Sequence, residues 1–290
     1  FALWFLCPIA IYMSAVQGMF DNISGLLTLL SIILVLREHY LPGGFVLASA
    51  ILLKLYPAFA LPVIIALILV RHGITKGCLK DMAYLFAGGL SAFAVIMAPT
   101  VMNMNSFDMA FGYLSIAIGV AIMLFFTALM LRSNREDANR DFIKYAMLAL
   151  VGGVVCNLGP QYPLVVIPLL CTYIAAMDRT YFICWLLIGA GCALQALVLN
   201  NYSLLMPLAS YGGWIGFDTI LSGLNWTEAY IIGAASFRSL MNTVFSMVSL
   251  AGLFLCVLFC HQDRIASRFP RIGGALTGLR SIGSGGARHE

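Results

Sequence analysis

The 290-residue chain is 62% hydrophobic and only 10% charged, with a mean hydropathy of +0.97 and a formal net charge of +4. Soluble domains carry about 25% charged residues, so this composition excludes a water-soluble globular protein. The apolar runs are long enough to cross a bilayer as helices, and the alternating pattern of barrel strands is missing from the sequence. The sequence therefore predicts an all-α, polytopic integral membrane protein.

The apolar runs predict a bundle of about 8–10 transmembrane helices, some of them short or broken. The chain begins at Phe1 within such a run, without a basic segment or a cleavage site. We therefore expect an N-terminally truncated protein and no signal peptide. The predicted segments are 2–17, 23–36, 42–56, 57–70, 82–98, 110–131, 142–157, 160–177, 180–199 and 237–260.

The basic residues mark one side of the membrane. With two exceptions, Lys54 and Arg238, they all fall in one set of polar breaks. These breaks are 37–40, 71–81, 132–144, 178–179 and the tail from His261. Cytoplasmic loops carry the excess of Lys and Arg, so these breaks and the C-terminus are predicted to be cytoplasmic. In a prokaryote the membrane would be the plasma membrane.

Residues 42–70 are apolar over a length that suits either one tilted helix or two short ones. A single pass would put 71–81 on the opposite side from 37–40, and Pro57 interrupts the segment. We therefore predict two short helices that meet at KLYP (54–57). Each would be about 22 Å long against a hydrocarbon core of about 30 Å, so the junction should lie in the outer leaflet and line a protein-walled cavity.

The predicted domain organisation is one multi-pass membrane domain, 1–260, followed by a basic cytoplasmic tail, 261–290. Within the membrane domain, segment 200–236 is rich in aromatic residues and glycine, and we expect it to be external, interfacial or re-entrant. The tail contains many Gly and Ser residues and is predicted to be disordered.

Polar residues on the predicted outer side are candidates for a site, because ionisable groups at membrane depth are costly. Lys54 could extend its ammonium to the interface, or it could bind a phosphate. Asp21, in QGMFDN (17–22), could cap a helix that begins at Ile23. Gln17, in the same stretch, is a further polar candidate. These roles do not exclude one another.

Two further stretches carry candidates on this side. In GPQYP, Gln161 and Tyr162 lie between two prolines and could form a simple turn. Arg238 begins the last apolar run and could pair with Glu228 or bind an anionic head group. The histidines lie in the cytoplasmic breaks and the tail, the cysteines are scattered, and no metal site, glycine-rich phosphate loop or nucleic-acid partner is indicated.

Three stretches together resemble the GT-C superfamily of polyprenyl-phosphate-sugar-dependent glycosyltransferases. They are CPIAIYMSAVQGMFDNISGLLTLL (7–30), LLKLYPAFALPVIIAL (52–67) and NLGPQYPLVVIPLL (157–170). In order and spacing they are similar to the first mannosyltransferase of GPI-anchor synthesis and its prokaryotic relatives. The resemblance covers about residues 1–175, and Cys7 stands where the family has Asn before proline.

The resemblance implies a membrane hexosyltransferase, of mannosyl type, that uses a polyprenyl-phosphate sugar as donor and a lipid or glycan as acceptor. No further cofactor is indicated. Lys54 and Arg238 would bind the donor phosphate, while Gln17, Asp21, Tyr56, Gln161 and Tyr162 would line the pocket. The family's acidic loop with the catalytic base has no counterpart here and would lie upstream of Phe1, so the catalytic residue is left unassigned.

Two other classes stay open from the sequence. A multi-pass transporter or lipid flippase also uses helix breaks and polar groups at membrane depth, although internal repeats typical of that class are not seen. A surface-glycan ligase or polymerase is also multi-pass and would suit the long segment 200–236. Clustering of Asp21, Lys54, Tyr162 and Arg238 around one external cavity would favour the glycosyltransferase.

Overall fold

A computed structural model describes residues 2–13, 21–97, 113–155, 159, 161–199, 216–232 and 235–262. They belong to two compact units. We call residues Phe20–Asp178 the Lys54 unit, and Phe1–Met19 together with Arg179–Glu290 the Arg238 unit. Each unit is described by itself.

The regular secondary structure of the Lys54 unit, within its described residues, is helical. Its α-helices are α3 (Asp21–Leu36), α4 (Tyr40–Leu53), α5 (Leu61–His72), α6 (Lys76–Met97), α7 (Tyr113–Leu131), α8 (Ala138–Val155) and α9 (Ile167–Ala176). Two 3-10 helices, Tyr56–Ala60 and Tyr162–Val165, precede α5 and α9. Both begin with the dipeptide Tyr-Pro, and proline suits the first turn of a helix because that turn needs no N–H there.

The predicted reversal at KLYP is confirmed. Lys54 ends α4 in an extended conformation (φ −152°, ψ 137°), and α5 returns the chain to the start of α4. There the Arg71 guanidinium donates a hydrogen bond of 3.3 Å to the Tyr40 hydroxyl. A single straight helix would hold these two residues more than about 40 Å apart, so residues 40–72 are two helices with a turn between them.

Small residues let α4 pack closely against its two neighbours. From α3, the Ser31 hydroxyl donates to the Gly43 carbonyl (2.9 Å) and the Ser24 hydroxyl to the Ala50 carbonyl (3.2 Å). On the α6 side, a Cβ added to Gly44 would lie 1.9 Å from the Leu85 carbonyl oxygen. Close backbone approach with hydroxyl–carbonyl bonds is the packing mode expected of helices in lipid, where water supplies no hydrophobic driving force between them.

The Arg238 unit pairs two long helices. Its α-helices are α1 (Ala2–Phe5), α2 (Pro8–Ile11), α10 (Phe182–Leu199), α11 (Phe217–Ala229) and α12 (Phe237–Cys260). A short 3-10 helix, Arg179–Tyr181, precedes α10. Two-residue strands, β1 (Ile231–Ile232) and β2 (Ala235–Ser236), form an antiparallel pair before α12.

The N-terminal prediction needs a correction. Residues 2–17 were expected to form one helix, but α1 ends at Phe5 and α2 begins at Pro8. Cys7 between them is extended (φ −68°, ψ 117°), because proline disfavours a helical conformation in the residue before it. Residues 14–20, which include the end of the predicted segment, lie outside the described residues.

The coarse prediction of an all-α protein with apolar helices is confirmed. Within the described part of the chain, three helices are long and apolar enough to cross a membrane: Lys76–Ile96, Arg179–Val198 and Phe237–Cys260. Shorter apolar helices cover Asp21–Leu36, Tyr40–Leu53, Tyr56–His72, Ile116–Leu131 and Ile167–Ala176. Of the predicted external segment 200–236, residues 200–215 lie outside the described part of the chain, as does the tail from residue 263.

Candidate functional site

Asp21 begins the site at the N-terminal end of α3. The helix starts at Asp21 itself, two residues before the predicted start at Ile23, so the carboxylate lies in the first helical turn. Exposed N–H groups give this end of a helix a partial positive charge, which favours an acidic side chain. The Asp21 side chain is only 2% exposed, so its carboxylate is a buried charge that requires a nearby cation.

Lys54 supplies that cation. Its ammonium nitrogen, Nζ, lies 3.2 Å from Asp21 Oδ1, and its side chain is 35% exposed. The end of α4 explains the position of the Lys54 side chain. Lys54 is extended after the last residue of α4, at the place where the N-terminal end of α3 lies next to it. The pair therefore has one buried partner and one accessible partner, and the accessible one is positive.

Two tyrosine rings flank the ion pair. The Tyr56 and Tyr162 ring centroids lie 4.6 Å apart with an interplanar angle of 52°, in the range of favourable aromatic pairs. Lys54 Nζ also lies 5.9 Å from the Tyr162 centroid, near the outer limit of a cation–π contact. KLYP and GPQYP, more than a hundred positions apart in the sequence, thus meet at one place.

A glycine allows this meeting. Gly25 lies one turn after Asp21, and a Cβ added to it would lie 2.6 Å from the Leu164 carbonyl oxygen and 3.2 Å from Pro168 Cγ. Only a residue without a side chain permits α3 to approach the 3-10 helix that carries Tyr162 so closely. Gly25 was not among the predicted site residues, because a glycine in an apolar helix gives no signal of what it packs against.

The remaining predicted site residues lie elsewhere or outside the description. Gln161 is half-buried and immediately precedes the 3-10 helix of Tyr162. Arg238 belongs to the Arg238 unit, where it is the second residue of α12 and its Nε donates to the Val198 carbonyl (3.1 Å) at the end of α10. Gln17 and the Glu228 side chain lie outside the described residues.

Sequence reasoning also missed a buried arginine at the far end of α3. Arg71 was counted among the cytoplasmic charges, but it is 8% exposed and reaches four groups on three elements. A basic residue at a helix C-terminus gives no sequence signal that distinguishes a buried side chain from a solvated one. Among the described residues, no three His, Cys, Asp or Glu side chains are grouped as metal ligands.

The arrangement around Lys54 can bind an anion and position it. An ammonium carries three N–H donors, and a single contact with Asp21 can use only one of them. The remaining donors are available on the accessible side, next to the half-buried Tyr162 ring, which can contact an apolar or sugar surface. The Tyr56 ring is buried behind it. The buried Asp21 carboxylate holds the ammonium in place and offsets the free-energy cost of partly burying a lysine.

No protein-family model, curated protein or solved structure matches the chain.

Proposed function

We propose that the protein is a membrane glycosyltransferase that moves a sugar, of mannosyl type, from a polyprenyl-phosphate donor to a lipid or glycan acceptor on the non-cytoplasmic side. The observation that carries the proposal is the Lys54 ammonium, held 3.2 Å from a buried carboxylate and open to one side. A lipid-linked donor presents a phosphate at the membrane surface, and this phosphate becomes the leaving group. A positioned cation stabilises the charge that develops on it.

The proposal gains support from the parts of the chain that form the cluster. The three stretches that resemble the GT-C superfamily contribute Asp21, Lys54 and Tyr162, and these three side chains lie together. Tyr56 packs against Tyr162 at the same place. In this proposal, Lys54 binds the donor phosphate and the half-buried Tyr162 ring contacts the sugar or the first isoprene unit. The buried Tyr56 ring supports Tyr162 from behind, and Asp21 positions Lys54.

Asp21 is not proposed as the catalytic base. A general base must come within hydrogen-bonding distance of the acceptor hydroxyl, and a carboxylate that is 2% exposed and paired with Lys54 does not offer that access. The resemblance implies a base from an acidic loop upstream of Phe1. We also propose that Arg238 makes a second contact with the donor phosphate. Only the resemblance to the GT-C superfamily supports this contact.

The test is a transfer assay with purified protein and radiolabelled polyprenyl-phosphate mannose, in membranes that supply the acceptor lipids. The informative variant is Asp21→Asn/Lys54→Gln, because it removes both charges without leaving a buried carboxylate unpaired. We expect sugar transfer to fall at least about tenfold, the loss expected for one charge-assisted phosphate contact.

A matched control is Lys144→Gln. Lys144 also lies over a tyrosine ring, with Nζ 5.1 Å from the Tyr145 centroid, but it belongs to a predicted cytoplasmic break. Transfer by this variant should stay within about twofold of the parent. Equal transfer by all three proteins would remove Lys54 from the mechanism. Transfer of no sugar by a parent that includes the acidic loop expected upstream of Phe1 would remove the proposed activity.

The flippase alternative keeps one supporting observation. Two interrupted helices, at residues 54–60 and 162–166, face each other around the ion pair, and paired interruptions are typical of transporter sites. In sealed proteoliposomes, movement of the labelled donor across the bilayer without sugar transfer would favour that class over the glycosyltransferase.

A further inference from the structure

A second polar site lies at the opposite end of α3 from Lys54. It is a cleft of about 300 Å³. The lining residues come from the end of α3 and the α3–α4 turn, the end of α5, and the α7–α8 connection with the start of α8: Leu36, Arg37, Glu38, Arg71, His72, Arg135 and Asn139. Three arginines and a single acidic residue therefore line one small cleft.

Arg71 forms a fixed, buried side of this cleft. Its Nη1 donates to the Val35 carbonyl (3.1 Å) and the Tyr40 hydroxyl (3.3 Å). Its Nη2 donates to the Leu36 carbonyl (3.0 Å) and Asn139 Oδ1 (2.5 Å). These bonds satisfy the Leu36 carbonyl at the C-terminus of α3 and add a second donor to the Val35 carbonyl. They also fix a positive charge where the α3, α5 and α8 ends meet.

The α3–α4 turn brings a second arginine to the cleft. Hydrogen bonds from His39 N–H to the Leu34 carbonyl (2.9 Å) and from Glu38 N–H to the Val35 carbonyl (3.0 Å) form a Schellman motif. Glu38 occupies the left-handed position (φ 63°) that usually belongs to glycine. This tight turn places Arg37 and Glu38 on the cleft wall.

Charge compensation in the cleft is incomplete. Glu38 lies 4.0 Å from Arg71, at the limit of an ion pair, and its side chain is 62% exposed. Arg37 and Arg135 are exposed, and within the described residues neither side chain forms an ion pair or a hydrogen bond. Two exposed arginines beside a buried third give the cleft an excess of positive charge, which an anion bound between them would offset.

We propose that this cleft binds a phosphate group. Planar guanidinium groups match the geometry of phosphate oxygens and bind them in a bidentate way, and several arginines around one anion are the usual arrangement for phosphate recognition. The volume is at the lower limit of ligand pockets, which suits a phosphate with a small alcohol attached. Such a group occurs in the head group of an anionic phospholipid and in a soluble phosphate ester. This proposal does not rest on the function proposed for the Lys54 site.

The test measures the melting temperature of the whole protein in an uncharged detergent. The probes are phosphatidylglycerol, phosphatidylcholine as the neutral lipid, and sn-glycerol 3-phosphate as the soluble ester. We expect phosphatidylglycerol, the soluble ester or both to raise the Tm in a saturable way, whereas phosphatidylcholine should not. The responding probe identifies the source of the phosphate.

The variant Arg37→Gln/Arg135→Gln should weaken the apparent affinity for the responding probe by about tenfold or more. Its matched control is Arg132→Gln/Arg140→Gln, which removes the same amount of charge from the polar break that carries Arg135, but from residues outside the cleft lining. The control should remain within about twofold of the parent. Equal weakening in both variants would show a diffuse charge effect and overturn the proposal, as would the absence of stabilisation by every anionic probe.

Discussion

At the scale of single residues, the ion pair between Asp21 and Lys54 is asymmetric. The Asp21 carboxylate is 2% exposed, whereas the Lys54 side chain is 35% exposed and can rearrange toward water if its partner is lost. Removing one member of a buried pair is costly because the other is left as an uncompensated charge. The cost should therefore depend strongly on which member is replaced.

We expect Lys54→Met to lower the free energy of unfolding by about 2–3 kcal/mol, since it leaves the buried carboxylate without its cation. Asp21→Asn should cost about 1 kcal/mol or less. The double variant Asp21→Asn/Lys54→Met should be no less stable than Lys54→Met alone, because it leaves no buried carboxylate unpaired. The measurement is unfolding in mixed micelles with increasing dodecyl sulfate. Equal losses for the two single variants would contradict the asymmetry.

The identity of these residues could be predicted from the sequence, but their contacts could not. Lys54 and Asp21 stood out because each is a charge beside long apolar runs, where charges are expensive. Their pairing depends on where α3 begins and α4 ends, which is a tertiary feature. For Arg71, the sequence predicted the wrong environment. Its position in a basic polar break suggested a solvated side chain, whereas the packing of α5 against the ends of α3 and α8 buries it.

At the scale of elements, Gly25 sets the distance between α3 and the 3-10 helix of Tyr162. An added Cβ would lie 2.6 Å from the Leu164 backbone oxygen, so the two elements would have to separate. A backbone carbonyl in a short 3-10 helix between two packed helices cannot move aside alone. The displacement would carry Tyr162 away from Lys54 and Tyr56.

We therefore expect Gly25→Ala to destabilise the protein by about 1–3 kcal/mol, despite the better helix propensity of alanine. The control is Gly89→Ala in α6, where an added Cβ would make only ordinary contacts at 3.8 Å and 3.9 Å. That variant should be neutral or more stable by up to about 1 kcal/mol. Thermal unfolding in detergent measures both, and similar Tm values for the two variants would contradict the role given to Gly25.

Helix boundaries were predictable where proline or charge marks them. Pro57 and the run of basic residues at 71–81 predicted the reversal between α4 and α5, and the Arg71–Tyr40 contact confirms it. The break at Cys7 was missed because an unbroken apolar run outweighed a single proline. In contrast, α6 begins at Lys76, six residues before its predicted start. Polar residues in the first two turns of a helix are tolerated once the apolar face behind them is long enough.

At the scale of the molecule, the Lys54 unit has two chemically different ends. Asp21, Lys54 and Tyr162 lie at one end of α3, and the cleft with Arg37, Arg71 and Arg135 lies at the other. The length of α3 separates them by about 22 Å. The sequence predicted that the basic breaks share a side, and three of them indeed contribute to one cleft. Which side of the membrane this is stays a prediction from the positive-inside rule.

Single introduced cysteines can test that orientation. Ile74, in the turn between α5 and α6, is 99% exposed at the basic end, and Leu55 is 42% exposed beside Lys54. In intact cells we expect a membrane-impermeant maleimide to label Leu55→Cys but not Ile74→Cys, and to label Ile74→Cys only after permeabilisation. The parent chain, whose described cysteines are buried or half-buried, provides the background. Labelling of Ile74→Cys in intact cells would reverse the orientation. The Lys54 site would then face the cytoplasmic leaflet and could not bind a donor lipid that lies in the outer leaflet.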